Sequence, residues 1–275
     1  MDEPNQEPDD FVFMRRVVFV SFPGNRRLSV RAQAPPKTFG RDVFHWIDAE
    51  GVGHVAPADS RATGLDLHKA TVFRQGIKYP RRRNYEGYYW FSRTGQHLWY
   101  ESLTEYSALM WLDFSQDIVG ISTQPMCISF ADGTSHYPDF FTVQWDGTQT
   151  LYDVRPQNLI DAKAAETFTK TRDLCQRIGW PYQILGDLGL PIRHNLEWLA
   201  AYRNPRYKAP QEIQELVVDL VSEPARLLDV ARALSSGAPA FSIHFVYNLI
   251  WTREIRADLA RPLSWNTLLR KNENV

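Results

Sequence analysis

The stretch YPDFFTVQWDGTQTLYDVRP, residues 137–156, contains two apolar runs with period-two alternation, joined by Asp146–Gly147, a strong hairpin signal. Asp139 stands near the start of the first run, and Asp153 and Arg155 close the second. Carboxylates are depleted in strand interiors and need a partner there to offset desolvation. Asp139 lies seven residues before Asp146 and Asp153 six after Gly147, so the hairpin sets them close to opposite one another. Like charges at that separation repel unless a cation sits between them. A divalent ion held by Asp139, Asp153 and a backbone carbonyl, that of Val154, with water completing the shell, is the usual oxygen-rich arrangement for magnesium. Arg155, two residues beyond Asp153, is expected on the same strand face. A fixed cation beside such a metal suits phosphodiester hydrolysis, in which charge develops on the non-bridging oxygens. Glu101, at the start of the preceding helix, is a candidate third ligand. Taken singly, Asp139 as a strand cap and Asp153 with Arg155 as an exposed ladder pair are simpler readings; their joint occurrence favours the metal site.

These residues need elements to position them. ESLTEYSALMWLDF is helical by the spacing of Leu103, Tyr106, Leu109 and Met110. QPMCISFADGTSHYPDFFTVQWDGTQTLYDVRP then reads as three strands linked by two Asp-Gly turns. A helix over DAKAAETFTKTRDLCQRIGW, stopped by Gly179, and a short strand in PYQILG follow. The core is therefore expected to be α/β (α+β), a mixed sheet with helices against it. Boundaries along the chain are expected at 1–10 for an acidic tail, 11–80 for a β-rich unit, 81–200 for the core domain and 201–275 for a helical, winged-helix-like domain. In that last domain RPLSWNTLLR reads as a short hairpin or wing.

Glu on a helix, Pro-Asp on a strand and a carboxylate-x-Lys on the next strand is the PD-D/E-x-K nuclease signature, matched here by Glu101, Pro138–Asp139 and Asp153–Val154–Arg155. YESLTEYSALMWLDF, ISTQP, DGTSHYPDFF, YDVRP and GWPYQIL in this order, continuing through NLEWLAAYRNPR, resemble the TnsA-type endonuclease subunits of heteromeric transposases over about residues 85–270. The resemblance implies a restriction-endonuclease-like fold and cleavage of double-stranded DNA at transposon ends with Mg2+, or Mn2+ in its place. It also implies work alongside a DDE-type transposase and an AAA+ ATPase regulator. It maps the active site onto Glu101, Asp139, Asp153 and Arg155. Arginine stands where the family carries lysine; lysine can lose its proton and activate water, whereas arginine stays charged. Arg155 is then left to stabilise charge, with Lys163 or Lys170 of the following helix as candidates to reach the site. The rival reading keeps the fold as a catalytically inactive scaffold or DNA-binding assembly factor.

Further DNA contacts are expected from Arg81, Arg82 and Arg83, interleaved with Tyr79, Tyr85, Tyr88 and Tyr89, and from Gln124, which either contacts a phosphate or holds a sheet edge. His97 and His136 read as hydrogen-bonded surface histidines rather than ligands. The helix around His244–Arg256 offers Arg253 and Arg256 to phosphates, or else docks the ATPase. A net charge of −1 removes any argument from a basic total, though a local basic face suffices for DNA. Cys127 and Cys175 lack metal-site spacing and read as buried thiols. No apolar run approaches the ~18 residues of a membrane span, so a cytoplasmic protein with no membrane partner, nucleoid-associated when bound to DNA, is expected.

Overall fold

The computed structural model describes residues 40–73 and 85–273. The acidic tail, the apolar runs before Gly40, Tyr79 and Arg81, Arg82 and Arg83 lie outside the described residues. In chain order the strands are β1 (Val43–Ile47), β2 (Gly53–Pro57), β3 (Gly87–Phe91), β4 (Gln96–Tyr100), β5 (Ile118–Thr123), β6 (Met126–Ser129), β7 (Ser135–His136), β8 (Phe140–Gln144), β9 (Gln149–Val154), β10 (Tyr182–Leu185), β11 (Ala225–Arg226), β12 (Ile255–Ala257) and β13 (Leu268–Lys271). The helices are α1 (Leu103–Ser115), α2 (Ala162–Ile178), α3 (Leu190–Ala200), α4 (Gln211–Leu220), α5 (Leu227–Leu234) and α6 (Pro239–Trp251). The chain is mixed α/β, as expected. The described residues gather into two compact units, one of segments 40–73, 120–153 and 160–183, the other of 85–119, 154–159 and 184–273.

In the first unit β1 pairs antiparallel with β2 and with β6, and β6 with β7, in the order β2-β1-β6-β7. The early apolar runs VFHWI and GHVAP thus share a sheet with residues 126–136. A second sheet has the order β10-β9-β8-β5. The three-strand meander expected from the two Asp-Gly turns is therefore divided between sheets. The division falls at Tyr137–Pro138, where proline has no N–H to continue a ladder. The turns share one geometry. Phe130 and Thr134, like Gln144 and Thr148, close a three-residue loop, with Gly133 and Gly147 at φ of 83° and 85°. In each, the aspartate accepts from the threonine N–H two residues on, at 2.8 Å.

Within the second sheet, Leu151 N–H donates to the Pro181 carbonyl and Arg155 N–H to that of Leu185, so β9 and β10 advance together as a parallel pair. A parallel neighbour requires a crossover, and α2 supplies it. Asp161 caps the start of α2 by accepting from Ala164 N–H, and Gly179 ends it in the left-handed region at φ 93°. Its apolar side, Leu174, Cys175 and Ile178, packs with Phe44, Met126, Ile128, Phe141, Leu151 and Trp180 into one core. Trp180 stacks on Phe44 at 5.6 Å and meets Phe141 edge-on at 4.9 Å.

In the second unit β3 and β4 form a hairpin whose turn is held by Asp113 of α1. The buried Asp113 carboxylate accepts from the Tyr89 hydroxyl, from Ser92 N–H and Oγ, and from Arg93 N–H at 2.9–3.2 Å. Burial pushes its carboxyl above the usual range. Beyond α3 come α4, β11, α5, α6, β12 and β13, with the strands ordered β11-β13-β12 and all antiparallel. Leu227, Val230, Leu249, Ile250, Ile255 and Leu269 are buried.

Candidate active site

The hairpin register pairs Phe140 with Tyr152 and, continued by one step, brings Asp139 to Asp153. The backbone departs from that count. Asp139 N–H donates to the carbonyl of Tyr152, already the partner of Phe140, at 3.0 Å. Two residues address one, as in a β-bulge, which re-aims the first side chain instead of setting the two carboxylates face to face.

Gln124 adds a second irregularity. Its N–H donates to the Asp139 carbonyl at 2.7 Å and its carbonyl accepts from Phe73 N–H at 2.9 Å. It does so at φ 45°, the left-handed region that a non-glycine residue enters only when its surroundings impose it. Its side chain is buried, and Oε1 has no hydrogen-bond partner among the described residues. Of the two expected uses of Gln124, holding the sheet is visible in these backbone bonds. Such strain and an unpartnered buried amide oxygen are features that concentrate at functional sites.

Asp153 is 2% exposed, and its carboxylate is fully engaged. His136 Nε2 lies 3.0 and 2.9 Å from its two oxygens, and the Tyr182 hydroxyl donates to Oδ2. A carboxylate only accepts, so Nε2 is the protonated nitrogen of His136. Phe168 of α2 meets the His136 ring at 6.2 Å, and the Arg172 guanidinium lies 5.6 Å from the Tyr182 ring centre. Burial, and then the Asp153 charge, hold the Tyr182 phenol far above its ordinary range, which keeps it a donor. The same two causes push the Cys175 thiol up to about 12. Cys127 is buried as well. His136 is therefore hydrogen-bonded, as expected, but half-buried against the carboxylate instead of on the surface.

The remaining candidates separate. β9 ends at Val154, so Arg155 lies one residue past the strand on which a shared face with Asp153 was expected. It is exposed, and its Nε donates to the Leu159 carbonyl at 3.1 Å. Arg155 and Val154 belong to the second unit, as does Glu101. Glu101 does not open α1: Ser102 is its N-cap, so Glu101 precedes the helix. The glutamate that α1 carries is Glu105. It closes a capping box in which Ser102 Oγ accepts from Glu105 N–H while Oε2 of Glu105 accepts from Glu101 N–H at 2.8 Å. The Ser-x-x-Glu spacing of SLTE carried this signal.

Lys170 does not reach toward the candidate carboxylates. Its ammonium sits between Asp132 of the β6–β7 turn at 2.6 Å and Glu166, one turn back, at 2.7 Å. Lys163 is exposed in the first turn of α2. Arg253 is likewise not available to phosphate, since Asp117 and the Ser115 carbonyl hold its guanidinium. Tyr85 and Tyr88 are exposed, whereas Tyr89 is core; His97 is exposed. Among the described residues no three of His, Cys, Asp and Glu gather as a metal-binding group. No helix among them is long and apolar enough to cross a membrane.

No protein-family model matches the chain, and no curated protein matches it.

Proposed function

We propose that the chain is a metal-dependent DNA endonuclease subunit of a TnsA-like transposase, hydrolysing phosphodiesters at transposon ends. The observation that carries the reading is Asp139: it sits at a bulge beginning β8, with its backbone pinned by a left-handed, buried Gln124. The mixed sheet crossed by α2 agrees with a restriction-endonuclease-like core. The helix–helix–helix–hairpin order of α4, α5, α6 and β12–β13 agrees with a winged helix.

Magnesium takes oxygen donors and keeps several waters, so one or two carboxylates suffice. Asp139, Glu101 and the Val154 carbonyl are donors of the right chemistry, whereas both oxygens of Glu105 are used in capping α1. Asp153 does not fit direct contact as it stands, because His136 and Tyr182 use its oxygens. When bound, the metal lowers the pKa of a coordinated water and offsets charge at the phosphate. Arg155, permanently charged, stabilises the developing negative charge and takes no proton. The second reading, a non-catalytic scaffold for the transposase and its AAA+ ATPase, is favoured by one observation, the engagement of Asp153.

The test is cleavage of labelled transposon-end DNA with Mg2+ or Mn2+, in the presence of the neighbouring transposase. The endonuclease reading expects cleavage by the wild type, at least 100-fold less in Asp139→Ala on the order of an essential group, and activity retained in Arg155→Lys. Undiminished cleavage by Asp139→Ala would sink it, and cleavage gained only in Arg155→Lys would favour the scaffold.

A further inference from the structure

The three-stranded β11-β13-β12 sheet has one buried face and one exposed face. Leu269 and Ile255 point inward, and the register sets Arg256 of β12 directly opposite Arg270 of β13 on the other side. Like charges directly opposed across an antiparallel pair are destabilising, because their Cβ atoms lie only about 5 Å apart. Both arginines are exposed, and among the described residues neither guanidinium has a hydrogen-bond or ion-pair partner. Two acids of this region already have a cation: Asp229 pairs with Arg226 at 2.8 Å and Asp258 with Arg261 at 3.6 Å. Arg226 pairs in register with Leu268, two residues from Arg270, so a third guanidinium lies on the same face.

An arrangement with repulsion built in is one that an anion relieves. Guanidinium groups bind phosphate in a bidentate fork, and two of them side by side suit consecutive phosphates of a strand better than a single carboxylate. The helix before this hairpin offers no such partner, since α6 from Pro239 to Trp251 contains no Lys or Arg. Exposed Leu268, two residues before Arg270 on the same strand face, supplies apolar contact beside the pair. We propose that the exposed face of this sheet, through Arg256 and Arg270, binds the phosphodiester backbone of duplex DNA, and that α6 serves as packing support for it. This rests on the reading that the chain acts on DNA.

The experiment is equilibrium binding of the full chain to a labelled random-sequence duplex, in chelator without metal, over a series of salt concentrations. Each phosphate contact contributes about 0.9 to the slope of log K against log salt. The double variant Arg256→Gln, Arg270→Gln should therefore lose roughly two from that slope, while Arg256→Lys, Arg270→Lys keeps it. Arg270→Glu should abolish the contribution of both and, by pairing with Arg256, leave the melting temperature equal or higher, which separates lost contact from lost fold. An unchanged slope in the double glutamine variant, or no duplex binding by the wild type, overturns the proposal. So does loss of binding to a poly-glutamate peptide with DNA binding intact, which would assign the face to an acidic protein. If Asp139→Ala cleaves normally while the double glutamine variant loses its share of the slope, the nuclease reading fails and this one stands.

Discussion

Asp153 is the residue whose chemistry the fold constrains most. A buried carboxylate costs several kcal/mol to desolvate, and His136 with Tyr182 offsets this by hydrogen bonding. Tyr182→Phe should remove one donor to a charged acceptor and destabilise the protein by about 1.5–3 kcal/mol in urea unfolding. A smaller loss would show that water replaces the phenol and that the carboxylate is accessible. Two of the acids, Asp139 and Asp153, were legible in sequence because carboxylates in apolar strands are out of place. The partners of Asp153 are not, since Tyr182 is reached only after a whole helix, and His136 lies on β7 of the other sheet, before the break at Tyr137–Pro138. Glu101 and Glu105 lie four residues apart, and only the capping bonds around Ser102 separate the residue before the helix from the one within it. Lys170 looked available because its charge partner Asp132 sits thirty-eight residues earlier.

The elements follow closely from local chemistry. Both Asp-Gly turns, the capping box of α1 and the glycine stop of α2 are written in three or four residues each, and all occur where such residues place them. Gly179 permits a clean test. A Cβ there would meet no atom within 4 Å, yet φ is +93°. Gly179→Ala should therefore cost about 1 kcal/mol from backbone strain alone, read as a lower melting temperature with the fluorescence of Trp180 unchanged in the folded state. A cost well above this would mean that the αL cap also sets the angle at which Trp180 enters the core. What short motifs do not encode is which ladder joins which: β1 pairs with β6 across about eighty residues, so the early strands could not be assigned to a sheet from their own pattern.

At the scale of the whole molecule, the two units are interleaved along the chain. Residues 85–119 and 184–273 belong together, although 120–153 and 160–183 intervene. Cutting at residue 200 removes α4, α5 and α6 from a unit that also contains α1. It deprives Asn195 of the Leu259 and Arg261 carbonyls to which it donates, and removes α6 from α3, the helix that carries the buried Leu196 and Leu199. A fragment ending at 200 should therefore aggregate or bind a hydrophobic dye, instead of behaving as a folded core lacking a tail. If it melts cooperatively near the full-length temperature, the second unit draws its stability from the segments before 200. DNA-binding losses in such a fragment would accordingly say nothing specific about the C-terminal sheet, whereas point substitutions there do.

Cys127 and Cys175 both sit in the first unit, the only cysteines of the chain, and both are shut away from solvent. With the Cys175 thiol pushed up to about 12, modification at neutral pH has to wait for the structure around it to open. The rate at which a thiol reagent labels the native protein is consequently a stopwatch for the opening of that one unit, running beneath whatever the other unit does and readable without introducing any probe.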